Sequence, residues 1–442
     1  MRATPARAQD REILRLALPA LGALAAEPLY ILVDTAIVGH LGTPQLAALA
    51  IAGALLTSGL TLFNFLTYGT TAQVARHHGA GQSQVAGRLA AQSLWVAIAL
   101  GAVLVAVTVL LAEPAVALMG GEGRSGEMAV TYLRISALGL PFALIALSGQ
   151  GYLRGVSSMQ RPLVIVVAAN ALNVVLELLF VYGFGWGIAG SAWGTVIAQA
   201  AMGAAFVREL LAAPADDRRA SADLMRPFLR MGGDIAVRTG ALVASFLVAS
   251  AVVARVSDAA LGAHQIAFQL FFFLALVLDA IAIAAQVIVG RTLGAADADG
   301  AYASARRMIG WSVVVGGAFS ATLLALEGVL PGLFTNDVAV IERAGTIWPL
   351  FALMQPVGAA VFALDGILIG AGDARFLKWS MVFAGLGVFV PIALGSLVLG
   401  WGLVGVWWGL NALMVARLVT CGARFLGRRW AVTGAAAAAS VP

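Results

Sequence analysis

Residues 185–194 read Gly-Trp-Gly-Ile-Ala-Gly-Ser-Ala-Trp-Gly, and residues 400–409 read Gly-Trp-Gly-Leu-Val-Gly-Val-Trp-Trp-Gly, an offset of 215 residues. The same offset pairs Arg76-His77-His78-Gly79-Ala80 with Arg291-Thr292-Leu293-Gly294-Ala295. It also pairs Pro141 with Pro356, and Leu153-Arg154-Gly155 with Leu368-Ile369-Gly370. A register held at four separated places marks a duplication, which restricts the fold to two copies of one unit.

Hydropathy says what that unit is. Apolar residues make up 61% of the chain and charged residues 11%, whereas a soluble domain carries about a quarter. Twelve apolar stretches occur, near 13–38, 46–70, 86–112, 127–153, 162–183, 187–211, 232–254, 261–290, 303–330, 340–368, 376–399 and 402–427. Each is long enough to cross roughly 30 Å of hydrocarbon as a helix. The expected fold is an all-α polytopic membrane protein with twelve transmembrane helices in two six-helix lobes. Because six is even, both lobes enter the membrane in the same direction, a parallel repeat about an axis along the membrane normal. The N-terminal lobe is expected over 1–211 and the C-terminal lobe over 224–430. The polar segment 212–223 links them, and an Ala-rich disordered tail fills 431–442.

Charge placement gives the orientation. With both termini cytoplasmic, only Arg124, Arg134, Arg255 and Arg343 of the 27 basic residues fall in outer loops, as the positive-inside rule expects. The chain is thus expected in the cytoplasmic (inner) membrane. Its net charge of +5 reports orientation and contact with anionic lipid, and not nucleic-acid binding. The Arg-rich opening and Ala23-Leu24-Ala25 resemble a cleaved leader, but apolar sequence resumes through Val38, so this reads as an uncleaved first helix. Cys421 is the single cysteine, which excludes an intramolecular disulfide. The four histidines lack metal-ligand spacing, and nothing matches a P-loop, a nucleophile elbow or a zinc motif. The expectation is no enzyme, no metal and no cofactor.

In a chain this apolar, each acid inside a span needs a reason. An ionised carboxylate at mid-bilayer costs roughly 2.5–3.5 kcal/mol on insertion scales, so it survives by pairing, by lining a wet cavity or by holding a proton. Asp34 lies well inside the first span with no basic residue within a helical turn. It reads as a proton or cation carrier, with interhelical packing as the plain alternative. Glu27 precedes Pro28, which frees the carbonyl of residue 24 and suits a bend; a static kink serves equally. On the fifth span Asn173 and Glu177 are one turn apart and share a face. Asn170 extends the stripe, and Thr195 on the sixth span adds a hydroxyl if the two helices pack side by side. The alternative is a hydrogen-bond cluster serving association alone.

Asp234 and Arg238 are spaced i, i+4, so a salt bridge within the seventh span is expected, with a structural or gating role. Asp279 and Asp365 have no such local partner. At the repeat offset they align with Asn64 and Gln150, so the two lobes have diverged in their polar groups.

These residues carry a resemblance. Glu27-Pro28 followed by Asp34-Thr35-Ala36-Ile37-Val38-Gly39, and Asn173 with Glu177 followed by the Gly-Trp-Gly turn, resemble the multidrug and toxic compound extrusion (MATE) family. Asp234-Ile-Ala-Val-Arg238-Thr239, Leu278-Asp279-Ala-Ile-Ala with Ala285-Gln286, and Leu364-Asp365-Gly366 resemble its DinF-like branch. The match covers residues 10–428. The resemblance implies a V-shaped two-lobed transporter that exports small molecules by alternating access, driven by inward cation flow. It places the coupling site on Asp34, with Asn173, Glu177 and Thr195 as companions. Many relatives have Asp where this chain has Glu177, which reshapes any sodium cage. The DinF-like branch leans toward protons, so H+ is the expected coupling ion and Na+ the second possibility. Lipophilic or cationic compounds are the implied substrates, with organic acids a further class. Partners are the substrate and membrane lipid, and a monomer is the default.

A lipid-linked flippase of the same superfamily is the competing reading. It calls for a strongly basic central cavity, whereas here Arg238 is the notable interior base. A non-transporting sensor has no use for acids in several helices. The connection Arg76-His77-His78-Gly79-Ala80-Gly81 does not resemble the acidic motif of major-facilitator transporters.

Overall fold

The computed structural model describes residues 5–434. Among them every regular element is a helix, as a chain in hydrocarbon must arrange when each backbone N–H and C=O has to be satisfied within its own segment. The helices are α1 (Pro5–Gly39), α2 (Thr43–Thr61), α3 (Phe65–Gly79), α4 (Ser83–Leu118), α5 (Gly123–Ala137), α6 (Leu140–Gly155), α7 (Gln160–Leu178) and α8 (Gly187–Ala212). The second set is α9 (Ala222–Ala254), α10 (Asp258–Gly294), α11 (Ala298–Ala325), a short α12 (Leu330–Phe334), α13 (Val338–Gly370), α14 (Ala374–Val382), α15 (Val390–Val398) and α16 (Gly402–Leu426).

Eleven helical segments are long and apolar enough to cross a membrane. A twelfth appears when α5 and α6, bent by 49°, count as one span. A 3-10 turn at Leu62–Asn64 joins α2 to α3, which carries the second span to Gly79, beyond the end at 70 expected from hydropathy. Wide π-turns follow α7 at Leu179–Gly183 and join α14 to α15 at Phe383–Phe389. The protein is a multi-pass membrane protein. Of the Ala-rich tail expected over 431–442, residues 435–442 lie outside the described residues.

The repeated Gly-Trp-Gly turn has a physical basis. Gly185 and Gly187 have φ of 70° and 56°, and Gly400 and Gly402 have 71° and 54°, a region side-chain-bearing residues avoid. Further repeat-related contacts follow from the sequence. A methyl on Gly101 would strike Pro141, and one on Gly316 would strike Pro356, so the same helix pair closes over the same proline in both copies.

The chain divides into two compact units. One spans Pro19–Gly232; the other runs from Gly233 onward and includes the start of α1 through Leu18. Helices α1 and α9 therefore each begin in one unit and end in the other. In the C-terminal unit Asp10 accepts from Arg307 Nε at 2.6 Å and from Trp311 Nε1 at 2.7 Å. Arg291 pairs with Glu12. In the N-terminal unit buried Phe228 covers Gly69, and Gly232 lies against Phe65.

The polar segment after α8 is pinned to α4. Trp95 Nε1 donates to Arg218 O at 2.9 Å, and the Gln92 amide both donates to Arg219 O and accepts from Ser221 N, each at 2.8 Å. Arg88 pairs with Asp216 and holds its carboxyl down at about 2. A depressed carboxylate keeps its partner until the pH falls to that value, so this strap is insensitive to physiological pH.

Candidate functional site

In the N-terminal unit α1, α7 and α8 bring together four of the residues singled out on the first, fifth and sixth spans, Asp34, Asn173, Glu177 and Thr195. Asp34 is buried on α1, and Ser191 Oγ of α8 donates to its Oδ1 at 2.9 Å. Glu177, fully buried on α7, accepts from Tyr30 OH at 2.9 Å. Asn173 Nδ2 reaches Thr195 Oγ1 at 3.4 Å, and Tyr30 OH lies 3.2 Å from the same hydroxyl. Thr195 donates to Ser191 O at 3.1 Å. Asp34 and Glu177 are thus neighbours in one cluster, each hydrogen-bonded to another member of it.

Two features define the chemistry of this cluster. Among the described residues, no basic side chain is paired with either carboxyl group. Glu177 Oε2 and Asn173 Oδ1 are buried acceptor oxygens with no hydrogen-bond donor. Two neighbouring carboxylates in an apolar site are costly to ionise together without a compensating positive charge. Chemically, such an arrangement can hold a proton, or a small cation that accepts oxygen ligands. No group of three or more His, Cys, Asp or Glu residues suited to a metal ion occurs among the described residues.

Gly194 makes room for the pair. A methyl there would sit 3.1 Å from Glu177 Cγ and 3.3 Å from Asn173 Oδ1. Its repeat counterpart Gly409 faces Phe389 and Ile392, each at 3.2 Å. One glycine motif thus seats a polar pair in one unit and an apolar pair in the other. Gly194→Ala and Gly409→Ala are both expected to cost about 1–3 kcal/mol through overpacking, measured as thermal stability in detergent. Only Gly194→Ala should also alter ion coupling; equal effects of the two on coupling would sink the distinction.

The remaining candidates are dispersed. Asn170 does not join the cluster; its Nδ2 donates to Ala26 O at 3.0 Å, bracing α1 two residues before Pro28. Glu27 and Pro28 are exposed on their unit. Asp279 is half-buried on α10. The expected Asp234–Arg238 pair within one helix is corrected by the structure. Asp234 pairs instead with Lys378 of α14, and Arg238 with Asp365 of α13. Longer-range partners win because each base reaches a carboxylate on a neighbouring helix and ties two helices together. Asp365, without a local partner in the sequence, lies between Arg238 and Arg417 of α16, both of which donate to its Oδ2.

Sequence reasoning passed over Tyr30, Ser191, Lys378 and Arg417. Tyr30 stands one turn from Asp34 and Ser191 one turn from Thr195, so helical periodicity carried a signal for both. Arg417 is an arginine inside an apolar span, as unusual there as an acid.

Comparison with known proteins agrees with this architecture. The MatE family model matches residues 19–179 and 235–397, one copy in each half. The chain is 32% identical over 443 residues to Protein DETOXIFICATION 44, chloroplastic, of Arabidopsis thaliana, covering 95% of this chain and 82% of that protein. It is 30% identical over 423 residues to DNA damage-inducible protein F of Escherichia coli (strain K12), covering 92% and 90%. A solved structure described as MATE in the bent conformation superposes with a TM-score of 0.86 at 20% identity, over 95% of each chain. With both halves matched and relatives at this identity along almost the full length, the chain belongs to the MATE multidrug efflux transporter family, with the DinF protein among its homologues.

Proposed function

We propose that this protein exports small organic molecules in exchange for protons, and that Asp34 and Glu177 hold and release the coupling proton. The observation that supports this reading is a pair of neighbouring, buried carboxyl groups without a basic partner among the described residues. Taking up a proton leaves the pair with one shared negative charge in place of two, which the apolar unit tolerates better. Losing the proton leaves a charge that must be met by water or by rearrangement of α1, where Pro28 removes one backbone hydrogen bond. The cytoplasmic membrane is the proposed location, with both termini inside and the connection 212–223 joining two lobes. Each proton entering down 100 mV supplies about 2.3 kcal/mol, and each pH unit about 1.4 kcal/mol. That supports a substrate gradient of roughly ten- to hundredfold per proton.

Sodium is the second reading, favoured by the unpartnered oxygens Glu177 Oε2 and Asn173 Oδ1, which suit a hard cation. Sodium-free proteoliposomes with clamped potential and an internal pH probe separate the two. Amphipathic cations and organic acids are added in turn. Compound-triggered proton flux is the expected result; flux that appears only after sodium is added overturns proton coupling.

A further inference from the structure

At the end of α7 opposite Glu177, about 24 Å away along the helix, the N-terminal unit holds an open cavity of about 230 Å3. It lies wholly within that unit, where the end of α6, the start of α7 and the end of α8 meet. Tyr152, Ser158, Arg161 and Glu209 supply its polar lining, and Leu153 and Val156 an apolar wall. One water occupies about 30 Å3 of liquid, so the space accommodates a group of roughly seven non-hydrogen atoms.

The polar groups of this cavity are only partly spent on one another. Arg161 Nη1 donates to Glu209 Oε2 at 2.8 Å. That bond leaves the remaining guanidinium N–H groups and Glu209 Oε1 without partners among the described residues. Tyr152 is only 7% exposed, yet its hydroxyl makes no hydrogen bond among the described residues and lies in the cavity wall. Ser158 Oγ is equally unpartnered there. A hydroxyl so enclosed calls for a partner that the cavity admits. The space thus gathers a guanidinium, two hydroxyl donors and one carboxylate acceptor.

The other copy of the repeat shows what a purely structural version of this corner looks like. At the 215-residue offset Tyr152 aligns with Ile367, Ser158 with Asp373, Arg161 with Phe376 and Glu209 with Arg424. Those counterparts satisfy each other. Arg424 Nε donates to Oδ2 of buried Asp373 at 2.7 Å, and its guanidinium lies 5.2 Å from the centre of the Phe376 ring. One copy has closed on itself, while the other keeps an open space lined by unspent donors.

We propose that this cavity binds the phosphoethanolamine headgroup of a membrane lipid. The phosphate takes the free N–H groups of Arg161 and the hydroxyls of Tyr152 and Ser158, charge-assisted bonds of the stronger kind. The ammonium, with three N–H donors, goes to Glu209. Because Arg161 and Glu209 together are neutral, the site suits a zwitterion better than an anion. A choline headgroup has no N–H to offer Glu209. Below Arg161 the same face of α7 continues as Val164, Ala168, Ala171 and Val175, all exposed and apolar, a track along which an acyl chain lies. The site is separate from the carboxyl cluster, so the inference goes beyond the export reading and stands without it.

Native mass spectrometry of the purified full chain, with dioleoyl phosphatidylethanolamine, phosphatidylcholine or phosphatidylglycerol added at equal concentration, tests this. Wild type is expected to retain the ethanolamine lipid about tenfold over the other two, the worth of one charge-assisted hydrogen bond. Glu209→Gln should erase the preference over phosphatidylcholine. Tyr152→Phe should weaken both of those lipids alike, since the phosphate is common to them. Equal retention of all three lipids by wild type, a preference for phosphatidylglycerol, or a preference unchanged in Glu209→Gln overturns the proposal. If Glu209→Gln does not fold, Ala212→Phe decides, because it fills the exposed rim and should release the ethanolamine lipid; undiminished retention overturns the site. Soluble O-phosphoethanolamine at the same concentration should fail to displace the lipid, because it has no chain to lay along α7. Displacement would assign the cavity to a soluble phosphate ester and overturn the lipid as its occupant. No readout here involves transport, so loss of proton coupling and loss of the lipid site are separately visible.

Discussion

Asp34→Asn is expected to abolish proton-driven export while leaving the protein folded. Asparagine keeps the size of the side chain and an oxygen for Ser191 Oγ, so the hydrogen bond now made at 2.9 Å survives. What disappears is the second of two neighbouring carboxyl groups, and with it the need for a shared proton. At an imposed difference of one pH unit, wild type should concentrate substrate about tenfold per proton, and the variant should reach no gradient. Downhill substrate movement is the control for folding. A variant that still accumulates substrate against its gradient in response to pH would show that the proton travels by another group. Tyr30→Phe provides a graded companion. It removes the donor to Glu177 Oε1 and keeps both carboxyls, so coupling should persist with an altered pH profile.

The architecture was open to reading because two strong periodic signals coincide. Apolar runs long enough to span a bilayer give the helices, and the 215-residue register gives their grouping. The grouping of Asn173, Glu177 and Thr195 was also legible, since Asn173 and Glu177 sit one turn apart and the short Gly-Trp-Gly turn lays α8 back along α7; that Asp34 joins them was implied only by the family resemblance. Partner choice across distant helices was not. Asp234 and Arg238 are well placed for each other by spacing, yet pair with Lys378 and Asp365, residues more than 120 positions away. Nothing in local sequence reports which side chain a neighbouring helix presents. The sequence also gave no sign that Asn170 would serve the backbone of α1 rather than the cluster, because periodicity fixes a face and not a bond. The divergence of the two copies was visible at Asn64 against Asp279 and Gln150 against Asp365. Its larger expression, a buried polar cluster in one copy and apolar packing at the equivalent positions of the other, needed the packing.

Asp365→Asn is expected to produce the largest loss of stability among the buried acids, by a route unlike that of Asp34. Asp365 and Arg417 are both almost fully enclosed, and Arg238 joins them from α9. The carboxylate is therefore the anion on which two guanidiniums from separate helices converge. Arginine cannot shed its proton at any working pH, so removing the carboxylate's charge strands positive charge inside an apolar unit. Breaking a buried pair in this way costs about 3–5 kcal/mol, against less than about 1 kcal/mol for an exposed pair such as Arg134–Glu113. Thermal unfolding in detergent should therefore drop sharply for Asp365→Asn and barely change for Glu113→Gln. Arg417→Met combined with Asp365→Asn should recover part of the loss, because one stranded charge goes with its partner. The alternative for Asp365 is a proton carrier like Asp34, and it makes the opposite forecast. Asp365→Asn would then remain stable and lose pH-driven transport. A stable, uncoupled Asp365→Asn protein would move the C-terminal acid from scaffold to coupling machinery, and would place a titrating group in each half of the duplicated fold.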